Sequence, residues 1–431
     1  MIFSGFKGGI HPDDHKEQTK NEPIKKIKPG EILTYLTSQG GRGCAPIVQK
    51  GDRVLKGQVI ADSNEFMSAP IHASVSGTVE KIDMALNSRG IPTPAIFIRN
   101  DFMEEAVEQK PYKEAGYVTK EELIELTKKA GIVGMGGAGF PTHVKLATDK
   151  KIDTVIVNAS ECEPYLTNDY RKLLEKPEDV IDGLDIVIHA FGVKRGVIAL
   201  EDNKKDAAKN LKKIIGSAME IKVLKTKYPQ GSEKQLIHAV TGRYVPEGGL
   251  PSDVGVLVFN VDTVGAISRA IRHGLPITRR IVTVAGKAVK NPGNYFVRVG
   301  MSFEEIFEAA GGFTEQPAKI ISGGPMMGTA IYSLSIPFTK TSSGLLALTK
   351  EELGTKDEEP CLRCGKCVSA CPMGLQPVSL AKQVSEKQWE KAKKEGLMSC
   401  IECGCCAYSC PSDRNPVATI RRGKAAIRNG K

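Results

Sequence analysis

Short apolar runs alternate with amphipathic stretches through the middle of the chain. Residues 154–157, 196–200 and 254–259 are rich in Val, Ile and Leu, which predicts strands. The stretches between them have helical periodicity, and residues 121–130 form an amphipathic helix ahead of the first run. This alternation of strand and helix predicts a parallel α/β sheet.

The flanking regions have different patterns. Residues 29–100 are dense in Val, Ile, Gly and Pro with short alternating runs, which predicts an all-β unit. Residues 281–286 open a smaller α+β unit that contains a helix at 303–310. Residues 378–397 are rich in Ala, Lys, Glu and Gln and predict one helix, which carries the only tryptophan, Trp389.

Length and composition indicate a multidomain globular protein. A chain of 431 residues is too long for one ordinary core, and 41% hydrophobic with 26% charged residues is typical of globular proteins. We find neither a run of about 18 apolar residues nor a signal-peptide pattern, so we expect any membrane association to go through partners or surface charge. The net charge of +10 is not combined with aromatic residues into a nucleic-acid module, and no nucleic-acid partner is expected.

Eight of the 11 cysteines form two ladders with the spacing Cys-x2-Cys-x2-Cys-x3-Cys-Pro. This spacing is typical of paired [4Fe-4S] clusters, in which the fourth cysteine of each ladder ligates the other cluster. We expect that fourth cysteine to begin a helix. Structural zinc is the alternative, although zinc motifs normally pair two cysteines with a distant second pair. The predicted ligand sets are Cys361, Cys364, Cys367 and Cys410 for one cluster, and Cys400, Cys403, Cys406 and Cys371 for the other.

The other three cysteines, Cys44, Cys162 and Cys405, show no pairing pattern. Lone free cysteines usually pack as small hydrophobic residues. This usage fits a reducing compartment better than a disulfide scaffold, so we expect a cytoplasmic location.

A glycine-rich segment precedes the first predicted strand. Residues 131–139 contain five glycines and are followed by a potential helix start and Lys145. Backbone N–H groups in such a turn reach phosphate oxygens, and a lysine adds positive charge, although many Gly-rich turns bind nothing. Residues 158–164, at the following strand end, place an amide and two carboxylates where open α/β sheets bind ligands. Together they predict a phosphate-bearing cofactor.

Four motifs here resemble the flavin subunit of respiratory complex I. Residues 134–145 resemble its GxGGAGFPTxxK loop, residues 158–164 its NADExEP strand end, residues 228–233 its GEE turn and residues 259–263 its NNVET segment. Serines at 160 and 232 replace acids of that pattern. The resemblance implies an FMN phosphate cradle of Gly134, Gly136, Gly137, Gly139 and Lys145, flavin contacts from Asn158, Glu161, Asn260 and Thr263, and nucleotide contacts from Glu163 and Glu233.

Two further units resemble known domains. The N-terminal unit resembles the barrel-sandwich fold of biotinyl and lipoyl carrier domains, but its hairpin tip at 62–67 has no carrier lysine, so we expect a structural or docking role. The unit from residue 281 resembles the β-grasp (SLBB-like) domain of such flavoproteins. The expected fold is multidomain α/β and α+β, with an N-terminal arm (1–28), a barrel-sandwich hybrid (29–112), a Rossmann-like FMN/NADH core (113–277), a β-grasp domain (278–335), a connector (336–359) and a helical two-cluster ferredoxin domain (360–431).

The order of these domains resembles a subunit of Rnf complexes, the membrane-bound, ion-translocating ferredoxin:NAD oxidoreductases. The resemblance implies an enzymatic, peripheral subunit on the cytoplasmic side of the cell membrane, with non-covalent FMN, NAD(H) and two [4Fe-4S] clusters. It would exchange hydride between NADH and FMN and relay single electrons, while partner membrane and iron–sulfur subunits supply ferredoxin electrons and move ions. No catalytic side chain is predicted, because this chemistry belongs to the flavin. The alternatives are an iron–sulfur adaptor without flavin, and the flavin subunit of a soluble NAD-dependent hydrogenase or formate dehydrogenase.

Overall fold

The N-terminal region is mostly β-structure, as predicted, and the strands within its two sheets pair antiparallel. A computed structural model describes residues 5–113, 116–354 and 357–430. The predicted domains also include residues outside these ranges, and the predictions for those residues lie outside this description. The strands here are β1 (Lys25–Lys26), β2 (Ile32–Leu36), β3 (Ala45–Pro46), β4 (Arg53–Val54), β5 (Val59–Asp62), β6 (Ile71–His72), β7 (Gly77–Leu86) and β8 (Pro92–Asn100). One sheet has the order β2-β8-β7-β4 and the other β3-β5-β6. Ile60, Ile71 and Ile96 are buried in their shared core.

The middle of the chain forms the predicted parallel α/β sheet, with the order β11-β10-β9-β12. Val155 and Val157 belong to one core with α4 and α7, whereas Ile156 belongs to a second core with α6. Both faces are therefore covered, which explains the continuous apolar runs. The elements are α1 (Lys120–Lys129), α2 (Thr142–Leu146), β9 (Thr154–Ala159), α3 (Asn168–Glu175), α4 (Pro177–Ala190), β10 (Arg195–Glu201), α5 (Lys205–Leu211), β11 (Met219–Leu224), α6 (Glu233–Thr241), β12 (Val256–Asn260) and α7 (Val261–His273).

A second large sheet follows. Its elements are β13 (Arg279–Ala285), β14 (Gly293–Arg298), α8 (Phe303–Ala309), β15 (Lys319–Ser322), β16 (Thr329–Ile331) and β17 (Gly344–Leu348), and its strand order is β1-β14-β13-β17-β15-β16. Here the structure differs from the expected connector over 336–359. The buried strand β17 lies between β13 and β15, so this segment completes the sheet, and the domain extends past residue 335.

The C-terminal region is helical, with α9 (Lys350–Leu353), α10 (Lys366–Ser369), α11 (Pro377–Ser385), α12 (Trp389–Lys394), α13 (Cys405–Tyr408) and α14 (Pro416–Arg428). The single helix predicted over 378–397 is wrong, because Lys387 adopts a left-handed φ of 57° and separates α11 from α12. Cys371 and Cys410 do not begin helices as expected, because they follow α10 and α13, and the next helices begin only at Pro377 and Pro416, where proline suits the first helical position. Within the described residues, no helix is long and apolar enough to cross a membrane.

Candidate functional site

The glycine segment forms a tight loop whose tip faces solvent. The Gly134 N–H donates to the Phe140 carbonyl at 2.8 Å, and the Gly139 N–H donates to Gly134 at 3.1 Å. Residues 136–138 at the tip are exposed, and their N–H groups have no hydrogen-bond partner among the described residues. Gly137 has φ +107° and open space where a Cβ would lie. Free amides in an open glycine turn fit a phosphate group.

Buried charges hold this loop from beneath. Arg280 donates from Nη2 to the Met135 carbonyl at 3.1 Å and from Nε to Asp262 at 2.7 Å. Lys172 lies 2.5 Å from the same carboxylate. Burial raises the pKa of Asp262, but the attraction of Lys172, Arg280 and Arg269 outweighs it and holds this pKa well below its usual range. The loop therefore rests on a buried network of charged groups around the ionised Asp262.

Thr263 supports the loop from α7. Its Oγ1 accepts a hydrogen bond from the Met135 N–H at 3.0 Å, and the residue is buried. Gly136 lies beside Asn260, since a Cβ at Gly136 would be 3.5 Å from the Asn260 Cβ. The predicted positions Gly136, Asn260 and Thr263 thus lie together.

Lys145 supplies positive charge near the strand ends. From α2, its Nζ lies 3.0 Å from the Glu233 carboxylate at the start of α6 and donates to the Val258 carbonyl at 2.8 Å. Both side chains of the pair remain partly exposed. The structure therefore brings two predicted site residues together in an ion pair that solvent and ligands can reach.

The amides Asn158 and Asn260 lie opposite each other at the carboxyl ends of β9 and β12. Asn158 donates to the Gly231 carbonyl at 2.7 Å, and Asn260 donates to Asp169 at 2.6 Å. Sequence reasoning missed Asp169, which lies at the start of α3 and belongs to none of the four motifs. Burial, together with the charges of Glu161 and Asp262, raises the pKa of Asp169 to about 7.

The two predicted carboxylates of the strand end are engaged within the protein. Glu161 accepts hydrogen bonds from the first N–H groups of α3, Asp169 at 2.7 Å and Tyr170 at 3.3 Å. Glu163 accepts from the Met326 and Met327 N–H groups at 3.0 Å each, and burial raises its pKa to about 7. Neither points freely toward a ligand, which differs from the direct contacts expected.

One cysteine set surrounds a cavity. Cys371 and the three cysteines Cys400, Cys403 and Cys406 line a small cavity together with apolar side chains such as Leu380. The Leu375 N–H points at the Cys371 Sγ and the Glu402 N–H at the Cys400 Sγ, both at 3.4 Å. Thiols around an apolar cavity, with N–H groups aimed at sulfur, fit a [4Fe-4S] cluster. Within the described residues, no three His, Cys, Asp or Glu side chains converge as around a single metal ion.

The other cysteine set lies closer to the surface. Cys361 and Cys364 are exposed, and Cys367 and Cys410 are half-buried. The segment before Cys361 is held to the segment after Cys410, because the Glu359 N–H donates to Ser412 and the Ser412 hydroxyl donates to Pro360, both at 3.0 Å. The segments next to Cys361 and Cys410 therefore lie side by side, as the crossed ligand set requires.

The cysteine-bearing region contacts the α/β core directly. The Tyr228 hydroxyl donates to the Cys403 carbonyl at 2.8 Å, and the Gln235 side chain donates to the Pro372 carbonyl at 3.2 Å. Cys162 and Cys405 pack in the apolar cluster at this contact. The cavity-lining cysteine set therefore lies against the α/β core.

Comparison with known families assigns each region. Four family models match in order: the RnfC barrel sandwich hybrid domain (residues 4–103), the Nuo51 FMN-binding domain (127–269), the SLBB domain (281–330) and the 4Fe-4S dicluster domain (354–411). The fold is also similar to an NAD+-reducing [NiFe]-hydrogenase crystallised in the H2-reduced state, with 20% identity and a TM-score of 0.52 over 71% of this chain and 62% of that one.

Relatives in several bacteria match over most of their length. The C subunit of the proton-translocating ferredoxin:NAD(+) oxidoreductase complex of Clostridium ljungdahlii is 45% identical, covering 91% of this chain and 87% of that protein. The Na(+)-translocating counterpart of Acetobacterium woodii is 44% identical, with 91% and 90% covered. The C subunit of the ion-translocating oxidoreductase complex of Rhodobacter capsulatus is 40% identical, with 91% and 77% covered. This chain therefore belongs to the family of C subunits of Rnf-type ion-translocating ferredoxin:NAD(+) oxidoreductase complexes.

Proposed function

We propose that this chain is the peripheral subunit of an Rnf-type complex that exchanges electrons with NAD(H), at the cytoplasmic side of the membrane. Other membrane and iron–sulfur subunits are its partners, supply ferredoxin electrons and move the ions. The relatives named for proton and for sodium translocation are almost equally similar, at 45% and 44%, which supports assigning ion movement to other subunits. The observation that carries the proposal is the contact of the core with the cavity-lining cysteines through Tyr228.

The proposed FMN site lies between the glycine loop and the strand ends. The free amides of residues 136–138 and the Lys145 ammonium hold the phosphate, within the turn framed by Gly134 and Gly139. Asn158 and Asn260 offer polar groups to the flavin, and Glu233, beside Lys145, faces the nucleotide. Bound FMN supplies hydride exchange with NADH and single-electron exchange with the clusters.

Glu161, Glu163 and Thr263 are proposed to support this site indirectly. Glu161 fixes the start of α3 and thereby Asp169, which holds Asn260. Glu163 fixes the loop at residues 326–327, and Thr263 fixes Met135 of the glycine loop. These residues orient the groups that would touch the cofactor.

The proposed cluster ligands are the two crossed sets, one lining the cavity and one at the surface. The parallel order β11-β10-β9-β12 supports a Rossmann-like core over 113–277, since it is the 3-2-1-4 order of that fold. We place a β-grasp unit over 278–349, between this core and the cluster domain, and the barrel-sandwich unit over 29–112.

The test is anaerobic purification of the whole chain, with iron, sulfide and FMN quantified, followed by NADH titration. We expect about eight iron atoms and one FMN per chain, flavin bleaching by NADH, and EPR signals of reduced clusters. Dithionite reduction is the control that the clusters are intact. About eight iron atoms without FMN after reconstitution, and no response to NADH, would favour the adaptor without flavin.

A further inference from the structure

The N-terminal arm crosses the junction between the core and the cavity-lining cysteines. The Gly9 N–H donates to the Ala370 carbonyl at 2.9 Å, directly before Cys371. Ile10 and Tyr228 exchange two N–H···O bonds, both 2.9 Å long. The arm therefore contacts, through backbone bonds, both the cluster region and the turn of the core that carries Tyr228.

Two glycines allow this close approach. Gly8 has φ +70°, and a Cβ there would lie 2.5 Å from the Cys371 carbonyl oxygen. Gly9 has φ +79°, and a Cβ there would lie 2.6 Å from the Tyr228 carbonyl oxygen. Any side chain at either position displaces backbone and forces an unfavourable left-handed conformation. Gly5, in the same arm, has nothing within 4 Å of its Cβ position.

Farther along, the arm is anchored on the strand end of the candidate flavin site. The buried Lys16 ammonium donates to the carbonyls of Glu161 at 2.9 Å, Glu163 at 3.0 Å and Leu166. These bonds use all three donors of the ammonium. One short segment thus holds the flavin-side loop at one end and the backbone of Ala370, next to Cys371, at the other.

We propose that residues 8–16 are a positioning strap that fixes the Cys371, Cys400, Cys403 and Cys406 cluster on the flavin core. Electrons then pass between the core and this cluster first, and the surface cluster of Cys361 exchanges electrons with a partner of the complex. Each NADH oxidised releases two electrons and one proton, and one electron goes to each cluster. This inference rests on the proposed function.

The experiment compares Gly8→Ala with Gly5→Ala in the whole, cluster-loaded chain. NADH is mixed rapidly with each protein, flavin bleaching is followed by absorbance, and cluster reduction is followed by freeze-quench EPR. Both variants should bleach flavin at the wild-type rate and show intact clusters after dithionite. Cluster reduction by NADH should slow several-fold only in Gly8→Ala, because electron transfer slows as the distance between donor and acceptor grows.

Equal cluster reduction in wild type and both variants would overturn the strap. A wild-type protein that binds FMN but is not bleached by NADH would instead overturn the proposed function, and the inference with it. If Gly8→Ala does not retain its clusters, Ile10→Ala is measured in its place. This variant keeps both glycines and removes the apolar contact with Tyr228 and Ala370. A slower cluster reduction in that variant supports the strap, and a wild-type rate overturns it.

Discussion

Replacing Asp262 with Asn should destabilise the core by about 3–5 kcal/mol, the cost of breaking a buried ion pair. Its carboxylate lies 2.5 Å from Lys172 and 2.7 Å from Arg280, whose side chains are only 1% and 0% exposed. Asn keeps the shape but removes the charge, so two buried cations lose their compensating anion. Because Arg280 also holds Met135, the glycine loop should loosen and FMN retention should fall.

The matched control is Asp153→Asn. Asp153 also pairs with an arginine, Arg243, at 2.8 Å, but the two side chains are 50% and 38% exposed. Such exposed pairs contribute about 0–1 kcal/mol, because water screens them. Both variants replace the aspartate of an ion pair with asparagine, so the difference between their destabilisations reports the effect of burial.

Native-state hydrogen exchange of peptides from β12 to β13 measures the effect locally. Protection in Asp262→Asn should fall by a factor of about 10²–10⁴ at neutral pH. Since the folded-state pKa of Asp262 is lowered, its contribution is complete above the unfolded carboxyl pKa of about 4 and is lost at lower pH. The stabilities of the wild type and of Asp262→Asn should therefore converge as the pH falls. Protection in Asp262→Asn equal to that in Asp153→Asn at neutral pH would refute the reasoning.

Three further outcomes are expected. Gly136→Ala should fold normally, because a Cβ there meets Asn260 at an ordinary 3.5 Å, yet FMN affinity measured by fluorescence titration should fall about tenfold or more as the methyl group crowds the free amides. Cys371→Ser should lose about four of eight iron atoms while keeping FMN, whereas Cys405→Ser should keep all of them; equal iron contents would contradict the crossed ligand set. Burial lowers the pKa of Lys340 to about 7, whereas a lysine in the unfolded chain has a pKa of about 10. Between these two pH values the unfolded chain binds one proton more than the folded chain, so the free energy of unfolding rises with pH. The destabilisation caused by Lys340→Met should therefore grow from pH 7 to 10 in thermal unfolding, and a constant difference would contradict this.

The sequence patterns predicted elements whose signal is local. The parallel sheet was predictable because its strands are buried on both faces and read as continuous apolar runs. Strand β17 was missed because its pairing with β13 and β15 depends on distant segments and because charged residues follow it. The break between α11 and α12 carries no glycine or proline, so the left-handed Lys387 had no visible signal.

The candidate site likewise has parts that local sequence patterns predict and parts that depend on distant residues. Cysteine spacing within a ladder is local, and the structure brings Cys371 to the other ladder's cysteines around one cavity. The orientations of Glu161 and Glu163 depend on N–H groups of residues 169–170 and 326–327, and motif spacing does not show those partners. Asp169 was missed because it matched no motif, although its contact with Asn260 ties it to the site.

The two ladders have identical spacing, yet the fold gives them unequal surroundings. The arm, Tyr228 and Gln235 all bind backbone beside Cys371 or Cys403, so one set lies between the core and the helical domain. The other set presents Cys361 and Cys364 to solvent. Because solvent exposure and N–H···S hydrogen bonds tune cluster potentials, two clusters with the same ligands should have different potentials here. The cluster that lies against the core comes first on the electron path, and the cysteine spacing alone does not show this order.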